Sequence, residues 1–464
     1  MADRIKCISP VDGSVYAERA VAKKKDIQAA FAAAHAAQEK WRRVPVGERA
    51  GYCSAAVDAM LAMKDEIVPE LAWQMGRPIR YGAGELRGFE ERARHMIAIA
   101  GRSLSDIRPE PKDGFLRYIR REPLGVVFTI APWNYPYLTA VNSIIPALMA
   151  GNAVVLKHAA QTILAGERFA KAFKAAGLPK DVFRTLVLSH EQTARIIAGG
   201  HADMVCFTGS VAGGKAMEAA AAGRFINVGL ELGGKDPAYV RPDANMAHAI
   251  ENLVDGAFFN SGQSCCGIER IYVHRQAWSD FIDGFVDLAG RYVLGSPLDE
   301  ATTLGPMVKP EAADFVRRQI ASAVRAGART HIDPASFPRD RKGSAYMAPQ
   351  VLTRVDHRMS VMAEESFGPV VGIMKVRDDR EAIRLMNDSP YGLTAAVWTE
   401  DAEAAQKIGD EIRTGTVFMN RCDYLDPALT WTGVKDTGRG ATLSVVGYEA
   451  LTRPKSYHLR TKTS

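Results

Sequence analysis

Two rhythms divide this chain. Over 25–41 and 46–64 apolar residues, many of them alanine, return every three or four positions, the spacing that lays one apolar stripe along a helix. Helical spacing continues over 67–102, with a break predicted at Gly76-Arg77-Pro78. A loop is expected over 108–114, "RPEPKDG". In "LRYIRRE" (116–122) charge alternates with apolar residues, as in an exposed ribbon, and "GVVFTIA" (125–131) reads as a buried strand.

From there strand and helix patterns take turns. Strands are expected in "NAVVLKHA" (152–159), "VFRTLVLS" (182–189), "DMVCFTG" (203–209) and "INVGLELGG" (226–234). Helices are expected at 163–177, 190–200 and 214–223. Alternation of this kind places parallel strands beside crossover helices, so 124–232 reads as a doubly wound α/β unit. A second α/β run begins near Lys235, with helices at 244–260, 276–292 and 310–327 and strands in "RIYVHR" (270–275) and "VVGIMKV" (370–376).

With 464 residues the chain exceeds one ordinary domain, and 24% charged and 47% hydrophobic residues fit a soluble globular protein. The net charge of +6 is dispersed, with no basic block interleaved with aromatics, so nucleic acid is not an expected partner. Six cysteines at irregular spacing, without a CxxC pair, argue against a disulfide framework or a structural zinc site, and a reducing cytoplasm is the simplest setting. The first residues, "MADRIKCISPVDGS", lack the apolar core of a leader. Residues 124–156 carry no charge, yet Pro132, Pro136, Pro146, Gly151 and three asparagines punctuate them, so a buried core segment is expected rather than a membrane span.

Several short stretches could carry chemistry. In "FTGSVAGGK", Gly209 and Ser210 sit where a strand turns into a helix; such a turn can hold a phosphate, or be an ordinary strand-to-helix connection. In "LELGGK", Glu231 stands in an apolar strand, either as a buried general base or as an edge residue facing water. In "APWNYP", Asn134 either donates into a cleft or forms a turn, and the acids of "EESFGPV" can be solvated loop residues. In "GQSCC", Cys265 or Cys266 could be a thiol nucleophile or a small core filler.

Their joint order is more specific than any one of them. "PWNYP", "VLK", "FTGS", "LELGGK", "GQSC" and "EESFGPV", in that sequence over almost the whole chain, resemble the aldehyde dehydrogenase superfamily. The resemblance implies two doubly wound parallel-sheet domains and a small oligomerisation flap: 1–103 with 124–232 for the dinucleotide, 233–430 for catalysis, and 104–123 with 431–464 as flap and tail. It implies Cys265 as nucleophile, Glu231 as base and Asn134 as oxyanion donor. On the cofactor side it implies Trp133, Lys157, Ala160, Gly209, Ser210, Gly214, Glu365 and Phe367. Tyr135, Leu138, Asn142, Ser264, Cys266, Asp423 and Trp431 should line the substrate tunnel, and no metal is expected.

NAD or NADP is the implied cofactor. Ala160 stands where many NAD-dependent members carry a ribose-binding glutamate, so NADP should be tolerated. The Gly-rich loop usual after the next helix is replaced by "LVLSHEQ". The implied reaction is oxidation of an aldehyde to an acid through a cysteine thioester. A CoA-acylating branch and a catalytically silent member are the alternatives; the presence of Glu231 speaks against the first, and the intact set Cys265, Glu231, Asn134 and Lys157 against the second. Arg270 and Arg421 are near in sequence, but no arginine is clearly placed to anchor a substrate carboxylate. A homodimer or dimer of dimers is expected, with the tail strand completing another subunit's sheet.

Overall fold

The computed structural model describes residues 4–463. Residues 1–3 and 464, the outer ends of the first and last predicted segments and part of the stretch read for a leader, lie outside the described residues.

The N-terminal third is helical as the spacing predicts: Lys24–Trp41, Val46–Leu61, Lys64–Met75 and Ile79–Ser103. The break falls at Gly76, which caps the third helix in the left-handed conformation (φ 84°), with Pro78 starting the next. Two short strands, Arg4–Ile8 and Val15–Ala20, pair antiparallel ahead of these helices, a hairpin that the helical rhythm of the region gives no reason to expect.

Two sheets follow. The first orders its strands Gly438–Arg439, Asn227–Glu231, Met204–Thr208, Val126–Ile130, Ala153–Lys157 and Phe183–Thr185. All neighbours are parallel except the Gly438–Arg439 edge. The chain winds outward in both directions from Val126–Ile130, so the switch point lies between that strand and Met204–Thr208. Ligands of doubly wound sheets bind at this point, beyond the carboxyl ends of the strands. The predicted strand over 182–189 shrinks to Phe183–Thr185.

The second sheet orders Arg329–Thr330, Gln350–Thr353, Val370–Val376, Ile268–His274, Asp236–Val240, Thr394–Trp398 and Thr416–Met419. It too is parallel apart from its Arg329–Thr330 edge. Its central strands are buried along their whole length, as continuous apolar runs in parallel sheets require.

The ribbon is present: Phe115–Pro123, mostly half-buried, pairs antiparallel with the mostly exposed Thr452–Arg460 of the same chain. The tail is shorter than 431–464, however. Gly438–Arg439 joins the first sheet, and Ser444–Ala450 packs on Ile79–Ser103, where Tyr448 donates its hydroxyl to the Met96 carbonyl (2.6 Å). Buried Leu443, Tyr448 and Leu451 hold that stretch to the core, so Thr452–Arg460 supplies the strand that pairs with Phe115–Pro123, and Ile107 bridges Ile119 on its other edge. Among the described residues no helix is long and apolar enough to cross a membrane.

Candidate active site

The two sheets meet end to end. Asn227–Glu231 of the first sheet finishes at the cleft, and after Leu232–Lys235 the chain starts Asp236–Val240 of the second. The first sheet therefore presents carboxyl ends, with Asn134, Lys157, Gly209 and Glu231. The second presents amino ends, with Cys265 just before Ile268–His274 and Glu365 and Phe367 just before Val370–Val376.

Cys265 sits on a loop built from unusual backbone. Asn260, Ser261 and Gly262 all have positive φ (52°, 58° and 69°), a conformation that costs non-glycine residues energy and persists where surrounding bonds enforce it. Those bonds are present. The Ser261 hydroxyl donates to the Gly305 carbonyl (2.8 Å), and Gln263 donates its amide to the Asn260 carbonyl (3.0 Å) while accepting from the Val308 N–H (2.8 Å). Gly262 lies against the Gly368 carbonyl, with no room for a Cβ. The outcome is a half-buried Cys265 facing a cavity of about 380 Å³.

Cys266 is different in kind. It is buried, and its thiol donates to Asp423 Oδ1 (2.9 Å), which also accepts from the Ser264 hydroxyl (2.9 Å). Its contact with the Cys265 thiol, its burial and the neighbouring Asp423 charge together push its pKa well above the usual thiol value. A thiol so placed stays protonated and serves as a donor.

Glu231 ends its strand and accepts from the Thr442 hydroxyl (2.5 Å) and the Thr208 hydroxyl (3.1 Å). Burial raises its pKa above the carboxylate range, and the two hydroxyls and the Arg92 charge offset part of that rise. It lines both the Cys265 cavity and a second cavity of about 420 Å³ behind it. Asn134 is buried, and its side-chain amide donates to the Gln263 carbonyl (3.1 Å), which ties it to the cysteine loop.

On the cofactor side, Trp133 meets Phe367 edge to face, with centroids 5.7 Å apart. Glu365 Oε1 accepts from the Gly234 N–H (3.1 Å); burial and the Glu269 charge raise its pKa to about 8. Glu364 stays exposed, so only one acid of the pair turns inward. Ser210 caps the Val211–Ala221 helix by accepting from the Gly213 N–H (3.2 Å). Gly214 lies against Leu232, whose side chain would sit 2.6 Å from an added Cβ. Ala160 lies in a short turn directly after Lys157–Ala159. Tyr135, Leu138, Asn142, Ser264, Cys266, Asp423 and Trp431 all line the Cys265 cavity.

Residues 1–457 match the model of the Aldehyde dehydrogenase family. The chain belongs to the aldehyde dehydrogenase family. The enzyme is 32% identical over 458 residues to the NADP-dependent succinate-semialdehyde dehydrogenase of Mycobacterium avium, spanning 97% of this chain and 96% of that one. It is 35% identical over 427 residues to an aldehyde dehydrogenase of Paenarthrobacter nicotinovorans (91% and 92%). Among solved structures, the NAD-dependent aldehyde dehydrogenase of Sinorhizobium meliloti superposes with TM-score 0.94 at 30% identity (99% and 92%). The Streptococcus pyogenes succinic semialdehyde dehydrogenase with NADP+ superposes with TM-score 0.93 at 25% identity (98% and 100%).

This dehydrogenase has a cofactor cleft that fits a dinucleotide. Lys157 is only 8% exposed, yet its ammonium makes no hydrogen bond or ion pair among the described residues, and burial lowers its pKa to about 8. A buried cation at the end of a strand beside the switch point is a group awaiting an external polar partner.

Sequence reasoning missed the charges that support the dehydrogenase's site. Arg77, in the helix break, pairs with buried Glu85 and donates to the Asn134 carbonyl (2.6 Å). Glu85 accepts from the Tyr137 and Leu138 N–H groups (2.9 and 3.0 Å), the open amides at the start of the Pro136–Ala150 helix. Lys235 pairs with Glu269, which also accepts from the Ser366 and Phe367 N–H groups (2.8 and 2.9 Å) and so fixes the Glu365 loop. Arg270 is spent on backbone carbonyls, among them that of Lys235 (2.8 Å), and Arg421 stacks on Tyr424. The arginines that do line the cavity are Arg77, Arg87 and Arg92. The available signal was a charge inside the apolar stripe of Ile79–Ser103, where Glu85 and Arg92 fall among Leu86, Phe89, Ala93 and Met96.

Proposed function

We propose that the protein oxidises a small aldehyde to the carboxylic acid, using NAD or NADP, with Cys265 as covalent nucleophile and Glu231 as general base. The observation that carries this reading is that Cys265 and Glu231 face one cavity where carboxyl strand ends meet amino strand ends.

The Cys265 thiolate adds to the aldehyde carbon, and the carbonyl oxygen becomes an oxyanion. Asn134 spends one N–H on Gln263; its second N–H and the Cys265 backbone N–H meet the oxyanion. As the oxyanion collapses back to a carbonyl, the former aldehyde carbon gives up its hydrogen as hydride, for which the dinucleotide, when bound, would supply the acceptor. The Cys265 thioester that remains is hydrolysed by a water whose proton Glu231 accepts, which releases the acid and regenerates the thiol. A raised pKa suits Glu231 to that exchange, because its conjugate acid then sits nearer working pH.

Lys157 and the turn at Ala160 face the adenosine ribose. With alanine there, no carboxylate repels a 2′-phosphate, and NADP is accepted along with NAD. Glu365 takes the nicotinamide ribose and Phe367, steadied by Trp133, packs beside the ring. Gly209, Ser210 and Gly214 belong to the turn and helix start beside the pyrophosphate. The outer edge of Thr452–Arg460, with no strand beyond it among the described residues, supports a homodimer or dimer of dimers. A monomer by light scattering at micromolar concentration would contradict this.

The test is NAD(P)H formation over an aldehyde panel with CoA omitted, run beside Cys265→Ala. Turnover that vanishes in the variant supports the reading. Turnover that requires CoA, or that persists without Cys265, overturns it.

A further inference from the structure

Arg92 is anomalous. It is only 8% exposed, lines the Cys265 cavity, and has no carboxylate within 4.0 Å among the described residues. One Nη1 donates to the Leu138 carbonyl (2.7 Å) and, more weakly, to Asn142 Oδ1 (3.4 Å). Its Nε and second Nη make no hydrogen bond among the described residues, nor does Asn142 Nδ2. Three donor groups on one cavity wall therefore lack an acceptor.

Most other charges around the cavity are bonded or exposed. Arg77 is locked to Glu85, the Asn134 carbonyl and Asn260. Arg87 and Glu91 are exposed, and Glu91 accepts from the Tyr424 hydroxyl (2.7 Å). Asp423 is engaged by Ser264 and Cys266; Asp255 makes no side-chain hydrogen bond or ion pair among the described residues, and burial with the Asp423 and Glu251 charges raises it to about 6. Glu231 is held by two threonines.

A buried guanidinium with no carboxylate bonded to it is costly, and its desolvated N–H groups are strong donors to an incoming anion. Its planar fork matches a carboxylate bidentately. We propose that Arg92, with Asn142 beside it, is the anion anchor of the substrate cavity, so that the enzyme acts on aldehydes carrying a carboxylate at the end remote from the reacting carbonyl. The residue is specificity-determining: it holds the remote end while Cys265 meets the aldehyde. This deepens the aldehyde-oxidising reading and rests on it.

The experiment compares matched pairs, succinic semialdehyde with butanal and glutaric semialdehyde with pentanal, in the wild type, Arg92→Gln and Arg92→Lys. Calorimetry of succinate binding and thermal melting accompany the kinetics. The wild type should prefer the carboxylated member of a pair on the order of 10²-fold in kcat/KM. Arg92→Gln should lose most of that preference through KM, and Arg92→Lys should keep part of it. Equal use of both members by the wild type overturns the proposal. So does a parallel loss on both members in Arg92→Gln, which would place Arg92 in the electrostatics of Cys265 and Glu231 instead. If no aldehyde is oxidised, the catalytic reading fails by itself and succinate binding decides: binding lost in Arg92→Gln sustains the anchor, and no binding to the wild type sinks it. Should Arg92→Gln melt too low to assay, Arg92→Lys and Asn142→Leu carry the same comparison; an unaltered preference in both overturns it.

Discussion

The two sheets contribute opposite kinds of edge to one cleft. On the catalytic edge nearly every group is bonded: Lys235 to Glu269, Glu269 to the Ser366 and Phe367 amides, Gln263 to Asn260 and Val308, Asn260 to Asn134. On the nucleotide edge the chief cation, Lys157, has no partner among the described residues, and Gly209 and Gly213 pack against the Phe207 ring. The difference teaches where each half needs fixity. Covalent chemistry demands a nucleophile and donors held within a fraction of an ångström. A cofactor that arrives and leaves needs open donors instead.

The bonded catalytic groups, Glu231 and Asn134 of the first sheet among them, carry the largest expected effects. Glu231→Gln should cut steady-state kcat by about 10²–10⁴ while leaving a rapid first turnover, measured by stopped-flow NAD(P)H absorbance. In the wild type, thioester hydrolysis should rise with pH through a midpoint above the ordinary carboxylate range, because burial raises the pKa of Glu231 and only its ionised form accepts a proton; the variant should lack this limb. Asn134→Ala should lower kcat by about 10²–10³, with cofactor binding by fluorescence little altered. Glu269→Ala strands the Lys235 ammonium in the interior and should cost about 3–5 kcal/mol of stability, read by denaturant unfolding.

Changes on the open side should be milder and confined to cofactor use. Ala160→Glu should lower kcat/KM for NADP about tenfold relative to NAD, with the melting temperature nearly unmoved. In the wild type, KM for NADP should rise as pH passes about 8, since Lys157 is charged below its pKa of about 8 and loses that charge above it; KM for NAD should respond less. A large stability loss from Ala160→Glu would erase the distinction between the two edges.

Much of this was legible in the sequence because the chemistry is written in contiguous runs. "GQSC", "LELGGK" and "PWNYP" each place a residue of the proposed site near a glycine or proline, and the βα alternation names the sheets. The supporting charges were not legible. Glu85 and Arg92 occupy positions of a helical stripe that reads simply as amphipathic, and whether such a charge is paired depends on how the chain folds: Glu85 meets Arg77 across the helix break, whereas Arg92 meets only the Leu138 carbonyl and Asn142 among the described residues. The roles of Arg270 and Arg421 depend on tertiary contacts in the same way. The N-terminal hairpin and the three-residue strand at Phe183 are too short to impose a period.

The central claim is that Cys265, and not its neighbour, carries the acyl group. The most direct measurement is mass spectrometry of the Glu231→Gln enzyme quenched after one turnover with aldehyde and cofactor. The account predicts one acyl adduct per chain, located on Cys265 after digestion and absent from Cys265→Ala. An adduct on Cys266, or a burst of reduced cofactor with no adduct at all, would contradict it.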